Sequence, residues 1–204
     1  MNKYVQSCRS EFWQKVFRAE ADCIVRHLKG ARDILSVGCG PAVVEGILEE
    51  SGLRVTGLDV SQDALGCAPD GVRTVVAKAE DMPFPDASFD AVIFVASLQF
   101  IEGYAQALHE TTRVLRPGGA ILVLLLNPES EFFRDKMRNP DSYVRKIRHT
   151  DLTEIETEMA KAYDVHAEYC LGVNGDSVFE SRRRDEACLY AIEGTLKSER
   201  KRDK

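Results

Sequence analysis

The sequence predicts an α/β protein built on a doubly wound, mostly parallel sheet, and two patterns carry this prediction. Short apolar segments alternate with amphipathic segments from residue 33 to residue 126, which is the order of strands joined by crossover helices. Residues 89–96 are apolar almost throughout, as expected of a strand that is buried on both faces of a parallel sheet. At 204 residues the chain has the size of one domain with a substantial core.

Composition and charge restrict the classes of function. The net charge of −6 disfavours nonspecific binding to nucleic acid or to anionic lipid. The six cysteines are scattered, with no C-x-x-C pair and no histidine at ligand spacing, which indicates reduced thiols rather than a disulfide frame or a metal site. No signal peptide opens the chain and no apolar run approaches the length of a membrane span. We therefore expect a cytoplasmic protein without a membrane partner or a metal, and a homodimer stays open.

The elements up to residue 126 follow one another with little interruption. Apolar residues at helical spacing predict an amphipathic helix over residues 11–29. A strand and turn are predicted over 33–41, and further strands over 54–60, 72–79, 89–96 and 120–126. Helices are predicted over 42–50, from residue 61 with Ser61 as N-cap, and over 102–115.

After residue 126 the alternation stops. Residues 127–149 are irregular and rich in charge, and a capping box at 151–154 predicts a helix to about residue 163. Two more strands are predicted over 165–173 and 187–193, with an exposed hairpin-like connection between them. We predict a single domain over residues 1–204, divided into an N-terminal cap (1–30), a cofactor-binding core (31–126), an inserted helical segment (127–164), the last two strands (165–194) and a charged tail (195–204).

A glycine-rich turn after the first core strand is the centre of the predicted site. Gly38 and Gly40 flank Cys39, so a ligand can approach the main chain closely, and we expect free N–H groups to face the crevice. Cys39 is interpreted as a small residue that offers its backbone N–H, not as a nucleophile. Asp59 ends the next strand about twenty residues on, the spacing of an acceptor for ribose hydroxyls. Turn and acid together predict a nucleoside-binding site.

Three stretches decide which nucleoside is expected. Val43 replaces the third glycine of a dinucleotide fingerprint, which argues against a nicotinamide-dependent reductase. Residues 34–42 resemble motif I of the class I S-adenosylmethionine-dependent methyltransferases, whose turn reads G-x-G-x-(G/A). Residues 79–90, A-E-D-M-P-F-P-D-A-S-F-D, closely resemble that family's A-E-x-L-P-F-x-D-x-S-F-D, and R-V-L-R-P-G-G at 113–119 matches its turn before the fifth strand. The chain is therefore similar to small-molecule methyltransferases of this class.

The resemblance implies a seven-stranded sheet ordered 3-2-1-4-5-7-6 with strand 7 antiparallel, and S-adenosyl-L-methionine as cofactor. Asp59 would accept both ribose hydroxyls, Val60 would lie against the adenine face, and Ala79 would give its N–H to the ring edge. The full set of cofactor-binding residues carried over from the motifs is Ser36, Gly38, Cys39, Gly40, Asp59, Val60, Ala79, Glu80 and Val95.

No catalytic residue is predicted, because in-line displacement at a methyl group needs alignment more than it needs a base. Ser97 and Gln99, just past the fourth core strand, are the candidates on the acceptor side. Tyr4, in an N-terminal segment that would act as a lid, is a further candidate for lining the acceptor side. The insert is expected either to add an apolar acceptor pocket, formed by Phe132, Phe133 and Tyr143 with Arg134 or Arg145 to bind an anion, or to be a packed helical connector with solvated charges.

Three positions depart from the family pattern. Ser36 stands where many members have an acid that helps to hold the methionine amino group, and Lys78 stands where an aspartate commonly meets adenine. Gln99 and Phe100 occupy the place of a frequent histidine pair. We predict methyl transfer from S-adenosylmethionine to an unidentified small-molecule acceptor. The alternatives are a degenerate cofactor-binding partner subunit and an RNA methyltransferase that uses the basic stretch 134–148.

Overall fold

The computed structural model describes Cys8 and residues 10–197, which form one mixed sheet with helices on both faces. The strands, in chain order, are β1 Asp33–Val37, β2 Arg54–Asp59, β3 Arg73–Val76, β4 Phe89–Val95, β5 Leu115–Leu126, β6 Tyr163–Asn174, β7 Ser177–Phe179 and β8 Ala187–Leu196. The helices are α1 Glu11–His27, α2 Val43–Glu50, α3 Gln62–Leu65, α4 Tyr104–Val114, α5 Glu131–Arg138 and α6 Leu152–Met159, with 3-10 turns at Leu98–Phe100 and Tyr143–Lys146. Tyr4 and the charged tail beyond residue 197 lie outside the described residues.

The strand order is β3-β2-β1-β4-β5-β8-β6-β7. The first five of these strands are mutually parallel, and β8 is antiparallel to both β5 and β6. With β6 and β8 as the sixth and seventh strands of the family order, this arrangement confirms the predicted 3-2-1-4-5-7-6 order and the antiparallel seventh strand. The α/β doubly wound fold class is likewise confirmed.

The predicted number of strands, seven, is one too few. The eighth is β7, which pairs antiparallel with the end of β6 inside the segment predicted as a hairpin-like connection. Asn174 pairs with Ser177 across a tight turn in which Gly175 has a positive φ of 57°, a conformation that lets two antiparallel strands follow each other directly.

One strand starts earlier than predicted. Strand β5 begins at Leu115 rather than at residue 120, because Phe89 pairs with Leu115 and Ala91 already pairs with Ala120. The residues between these pairs form a bulge, which contains the Pro-Gly-Gly of the predicted turn.

The sheet separates two apolar layers. Since side chains alternate along a strand, Ile34 of β1 packs toward α1 and α2, whereas Leu35 and Val37 pack toward α4 and α6. By the same alternation Ser36 faces the layer of α1 and α2. None of the helices in the described part of the chain has the length and apolar character needed to cross a bilayer.

Two of the family-like motifs are bonded to each other. Arg113 of the R-V-L-R-P-G-G motif donates to the carbonyl oxygens of Met82 (2.9 Å) and Phe84 (2.7 Å) and to the carboxylate of Asp86 (2.9 Å). Glu110 completes the arrangement, because it accepts from Arg113 and from the N–H of Met82. The loop after β3 is therefore held against the end of α4.

Candidate cofactor and acceptor site

The carboxylate of Asp59 lies at the carboxyl end of β2, between the glycine-rich turn and the start of α3. One oxygen accepts from the N–H of Gly40 at 2.8 Å, and the other accepts from the N–H of Ser61 at 2.8 Å. Each carboxylate oxygen has a further lone pair, so Asp59 can still accept from a ligand's hydroxyl groups. The structure thus brings together Asp59 and the glycine-rich turn, the two features from which a nucleoside site was predicted.

The turn itself differs from the expectation of free N–H groups. The N–H groups of Gly38 and Cys39 both donate to the carbonyl oxygen of Leu58, at 2.7 and 3.2 Å, and that of Gly40 is used by Asp59. A ligand can therefore approach the main chain of this turn closely, but the N–H groups of Gly38, Cys39 and Gly40 already donate to acceptors within the protein. The Cys39 thiol packs over Gly57, where an added Cβ would lie 2.6 Å from the sulfur, and burial raises its pKa. This thiol is a packing group.

Gly38 is needed at its position for two reasons. Its φ is +75°, and a Cβ built on it would lie 2.6 Å from the Cβ of Ser97. Ser97 in turn donates its hydroxyl hydrogen to the carbonyl oxygen of Val37 at 2.6 Å. The ends of β1 and β4 are thereby joined at the crevice. Ser97, an acceptor-side candidate, lies at the predicted place, but its hydroxyl is used for this structural bond.

Gln99, the other acceptor-side candidate, is fully buried. Its amide oxygen accepts from the N–H of Leu126 at 2.7 Å, and its amide nitrogen donates to the carbonyl oxygens of Leu126 (3.1 Å) and His149 (3.2 Å). All three bonds join the end of β4 to the end of β5 and to the insert. We therefore assign Gln99 a structural role rather than contact with an acceptor.

Replacing Gln99 by leucine is expected to lower the free energy of unfolding by about 3 kcal/mol, because buried backbone groups of Leu126 and His149 lose their partners. Urea unfolding followed by circular dichroism measures the change. Gln106→Leu, on the exposed side of α4, is the matched control and should be nearly neutral. Equal stability of the two variants would contradict the structural assignment of Gln99.

The other predicted cofactor residues lie at or just beyond the ends of neighbouring strands. Val60 follows Asp59 and is 67% exposed, an unusual exposure for a large apolar side chain, while Val95 ends β4 and is half-buried. Ala79 is buried in the loop after β3, and Glu80 is half-buried with its Cγ 3.2 Å from a Cβ built on Gly103. These residues come from three strand ends, so the crevice spans β2, β3 and β4.

A buried carboxyl group that sequence reasoning missed lies next to Ser36. The Ser36 hydroxyl donates to Glu45 of α2 at 2.5 Å, and both side chains are almost fully buried. Burial raises the pKa of Glu45 to about 7. Although Ser36 lacks the acid common at its position, the first turn of α2 brings a carboxyl group to the same place.

A second buried carboxyl group, Glu20, faces the same layer from α1. Its side chain is only 6% exposed, and burial together with the nearby charge of Glu45 raises its pKa to about 8. Among the described residues no lysine or arginine contributes to the pKa of either acid. The sequence held a signal for Glu20, because this acid interrupts the predicted apolar stripe between Phe17 and Ile24 of α1.

The stability of the protein should depend on pH through these two acids. Both pKa values are raised above 4.5 on folding, so the stabilisation from the retained protons is complete below pH 4.5 and is lost as pH rises through about 7 and 8. We expect the free energy of unfolding of the wild type to fall across this range more than that of Glu20→Gln/Glu45→Gln. Urea unfolding at several pH values measures this, with exposed Glu50→Gln as control. Parallel curves for all three proteins would rule the assignment out.

Aromatic rings of α1, of the turn after β4 and of the insert lie close to one another. The ring of Trp13 lies 5.8 Å from that of Phe17, and 6.4 Å from those of Phe132 and Tyr143, while Phe100 stacks on Tyr143 at 6.3 Å. We call these five residues the aromatic cluster. Phe17 belongs to the hydrophobic core and Trp13 packs against it, and through Trp13 this part of α1 contacts the insert.

The remaining insert residues fall elsewhere than predicted. Phe133 is buried in the core and does not join the aromatic cluster. Arg134 is exposed, and Arg145 donates to the carbonyl oxygen of Met137 on the outer surface. The predicted arginine that binds an anion is therefore not supported by the geometry of the described residues.

The crevice fits S-adenosylmethionine on three grounds. Asp59 has lone pairs for a sugar diol, Val60 presents an exposed apolar surface, and the turn at Gly38 has no room for a side chain. Glu45 adds an acid close to this turn. Among the described residues no cluster of three or more histidine, cysteine, aspartate or glutamate side chains could hold a metal ion.

Comparisons with known proteins point to the same class. Residues 35–123 match the family described as the methyltransferase domain. The demethylmenaquinone methyltransferase of Tropheryma whipplei is 31% identical over 117 residues, or 55% of this chain and 49% of that protein. A probable S-adenosylmethionine-dependent methyltransferase of Mycolicibacterium smegmatis is 31% identical over 139 residues, or 63% of this chain and 51% of that protein.

A solved structure shows the same fold over nearly the whole length. It is a methyltransferase of Thermotoga maritima, described as a possible histamine N-methyltransferase, with a TM-score of 0.79 at 22% identity and coverage of 96% of this chain and 97% of that chain. Over residues 35–123 the chain is therefore similar to S-adenosylmethionine-dependent methyltransferases, and this similarity and the shared fold imply S-adenosylmethionine as the cofactor. It spans about half the length of the curated relatives given above.

Proposed function

We propose that this protein transfers the methyl group of S-adenosylmethionine to a small-molecule acceptor that binds beneath the aromatic cluster. The observation that carries the proposal is the position of Asp59, which is bonded to the glycine-rich turn and retains lone pairs at the mouth of the crevice. Relatives of this sequence are named as quinone and S-adenosylmethionine-dependent methyltransferases, which supports the reaction class without naming the acceptor here.

The residues of the crevice would each hold one part of the cofactor. Asp59 accepts the two ribose hydroxyls, and Val60 and Ala79 flank the adenine. We assign the methionine ammonium group to Glu45, because this buried carboxyl lies at Ser36, where the family's usual acid is missing. A positive charge at this position would favour the ionised form of Glu45, whose pKa is raised without one.

The cofactor, when bound, supplies an activated methyl group on a sulfonium centre. The work left to the protein is alignment of the acceptor and exclusion of water, which can lower the barrier by several kcal/mol. In this proposal the aromatic cluster provides an apolar wall for both tasks, and its packed rings support it. No general base is required unless the acceptor is a weakly acidic oxygen or a protonated nitrogen.

The test is methyl transfer from radiolabelled S-adenosylmethionine to a metabolite pool of low molecular mass extracted from cells. We expect label to enter acceptors that pass a size filter, and we expect competition by S-adenosylhomocysteine. If the cofactor binds but no small molecule gains label, the proposed transferase activity is wrong and a binding subunit becomes the better description. Label recovered only in RNA would equally contradict a small-molecule acceptor.

A further inference from the structure

We propose that Glu20 anchors a cationic nitrogen of the acceptor, so that the acceptor is an amine with an apolar body rather than an anion or a neutral molecule. This inference rests on the proposed function, since it names the class of acceptor for the same crevice. It depends on three observations: a buried carboxyl group to which the described residues give no hydrogen-bond partner, aromatic side chains on the same helix face, and the lack of a described cationic side chain that acts on this carboxyl group.

The first observation is the isolation of the Glu20 carboxyl group. The side chain is 6% exposed, yet neither a hydrogen bond nor a cationic side chain within the described part of the chain offsets the cost of its burial. Folded proteins rarely bury an ionised carboxyl group without a partner, and Glu20 accordingly keeps its proton to a higher pH than an exposed acid does. A ligand with a positive charge and N–H donors would supply what the protein does not.

The second observation is where Glu20 lies. It is a buried residue of α1 on the helix face that also carries Trp13 and Phe17, and it is near enough to Glu45, Tyr143 and Cys188 for its charge to raise their pKa values or for theirs to raise its own. Tyr143 belongs to the aromatic cluster and Glu45 belongs to the cofactor crevice. Glu20 therefore shares the helix face of the aromatic cluster and is near the acid that we assign to the cofactor, and we place the nucleophilic atom of the acceptor beside it.

The third observation is the chemistry of the surrounding walls. Trp13, Phe17 and Glu20 are spaced by four and three residues along α1, so they share one face of the helix. Aromatic faces attract cations, and the Trp13 ring already has the ammonium group of Lys136 at 5.9 Å from its centroid. Rings beside a carboxylate form the kind of pocket that selects ammonium groups.

The charge of the pocket excludes the opposite class of acceptor. Arg134 is exposed, and Arg145 is bonded to Met137 on the outer surface, so neither arginine named in the sequence prediction faces Glu20. Lys136 lies over the rings of Trp13 and Phe132 but does not contribute to the pKa of Glu20, so Glu20 and Glu45 set the charge beside the proposed nitrogen site and would repel a carboxylate or phosphate there. An amine is favoured by the same charges.

The protein contains one tryptophan, Trp13, which makes the pocket directly observable by intrinsic fluorescence. We would titrate the protein, with S-adenosylhomocysteine bound, with phenethylamine and with its neutral analogue phenethyl alcohol. The wild type is expected to bind the amine at least about tenfold more tightly than the alcohol. Glu20→Gln should remove this preference, whereas Asp22→Asn, an equal charge change on the exposed side of α1, should retain it.

Equal affinity of the wild type for the two probes would overturn the proposal, as would a preference for the amine that Glu20→Gln leaves unchanged. Calorimetric titration of the same proteins with S-adenosylhomocysteine keeps the two hypotheses separate. If the product binds but the probes are not discriminated, only the amine inference fails. If S-adenosylhomocysteine does not bind, the proposed function fails. The affinities of phenethylamine and phenethyl alcohol for the protein without S-adenosylhomocysteine then test the role of Glu20 separately.

Discussion

Replacement of Asp59 by alanine is expected to weaken the binding of S-adenosylmethionine and S-adenosylhomocysteine by roughly 100-fold. Hydrogen bonds to a charged acceptor are worth about 1.5–3 kcal/mol each, and the variant loses both proposed bonds to the ribose. It also leaves the N–H groups of Gly40 and Ser61 without their acceptor, so the turn loses one of its supports. Isothermal titration calorimetry with each ligand measures the affinity.

Two further variants serve as controls for this experiment. Asp63→Ala removes an acid from the exposed side of α3 and should bind as the wild type does. Asp59→Asn keeps the shape of the side chain and removes its charge, so an intermediate affinity is expected. Circular dichroism spectra establish that each variant is folded. If folded Asp59→Ala bound the cofactor with the affinity of the wild type, the assigned ribose site would be wrong.

Replacement of Gly38 by alanine should have the second large effect. The left-handed backbone conformation costs a residue with a side chain about 1–2 kcal/mol, and the overlap with Ser97 at 2.6 Å costs about 1–3 kcal/mol more. The turn can relieve this overlap only by moving away from β4, which also displaces the surface that meets the methionine part of the cofactor. We expect lower stability in urea and weaker binding of S-adenosylhomocysteine.

The chain provides a matched control for the backbone contribution. Gly30 also has a positive φ, +90°, but a Cβ built there meets nothing within 4 Å. Gly30→Ala should therefore show the backbone cost alone, with unchanged binding. Adding Ser97→Gly to Gly38→Ala should recover part of the lost affinity, because it removes the overlapping Cβ. A Gly38→Ala protein that is no less stable than Gly30→Ala would show that the close packing at Ser97 is not real.

Much of the fold follows from local patterns in the sequence. Continuous apolar segments such as β4 mark strands that are buried on both faces, and the alternation with helices allows few arrangements other than a parallel sheet. The order of the last strands came from the resemblance of motifs rather than from periodicity. Strand β7 is missing from the prediction because a three-residue strand closed by a tight turn has no recognisable period.

The candidate site could be predicted only in part. The spacing between the glycine-rich turn and Asp59 is a local signal, and it is sufficient to place them together at one edge of the sheet. The partners of Gln99 and Ser97 are distant in sequence, since Leu126 and Val37 lie 27 and 60 residues away, so no local pattern reveals that their polar groups are already used. The closeness of Glu20 and Glu45 likewise depends on how α1 packs against α2.

Arg113 has a consequence for which parts of this chain can change in length. The guanidinium group of Arg113 bonds the loop over residues 82–86 to the last turn of α4, so these two segments are held together. We expect an insertion within either segment to break the hydrogen bonds of Arg113 and to displace the other segment. This displacement would widen the adenine side of the crevice. We expect insertions to be tolerated better in the turn between β6 and β7, where a Cβ built on Gly175 would meet nothing within 4 Å.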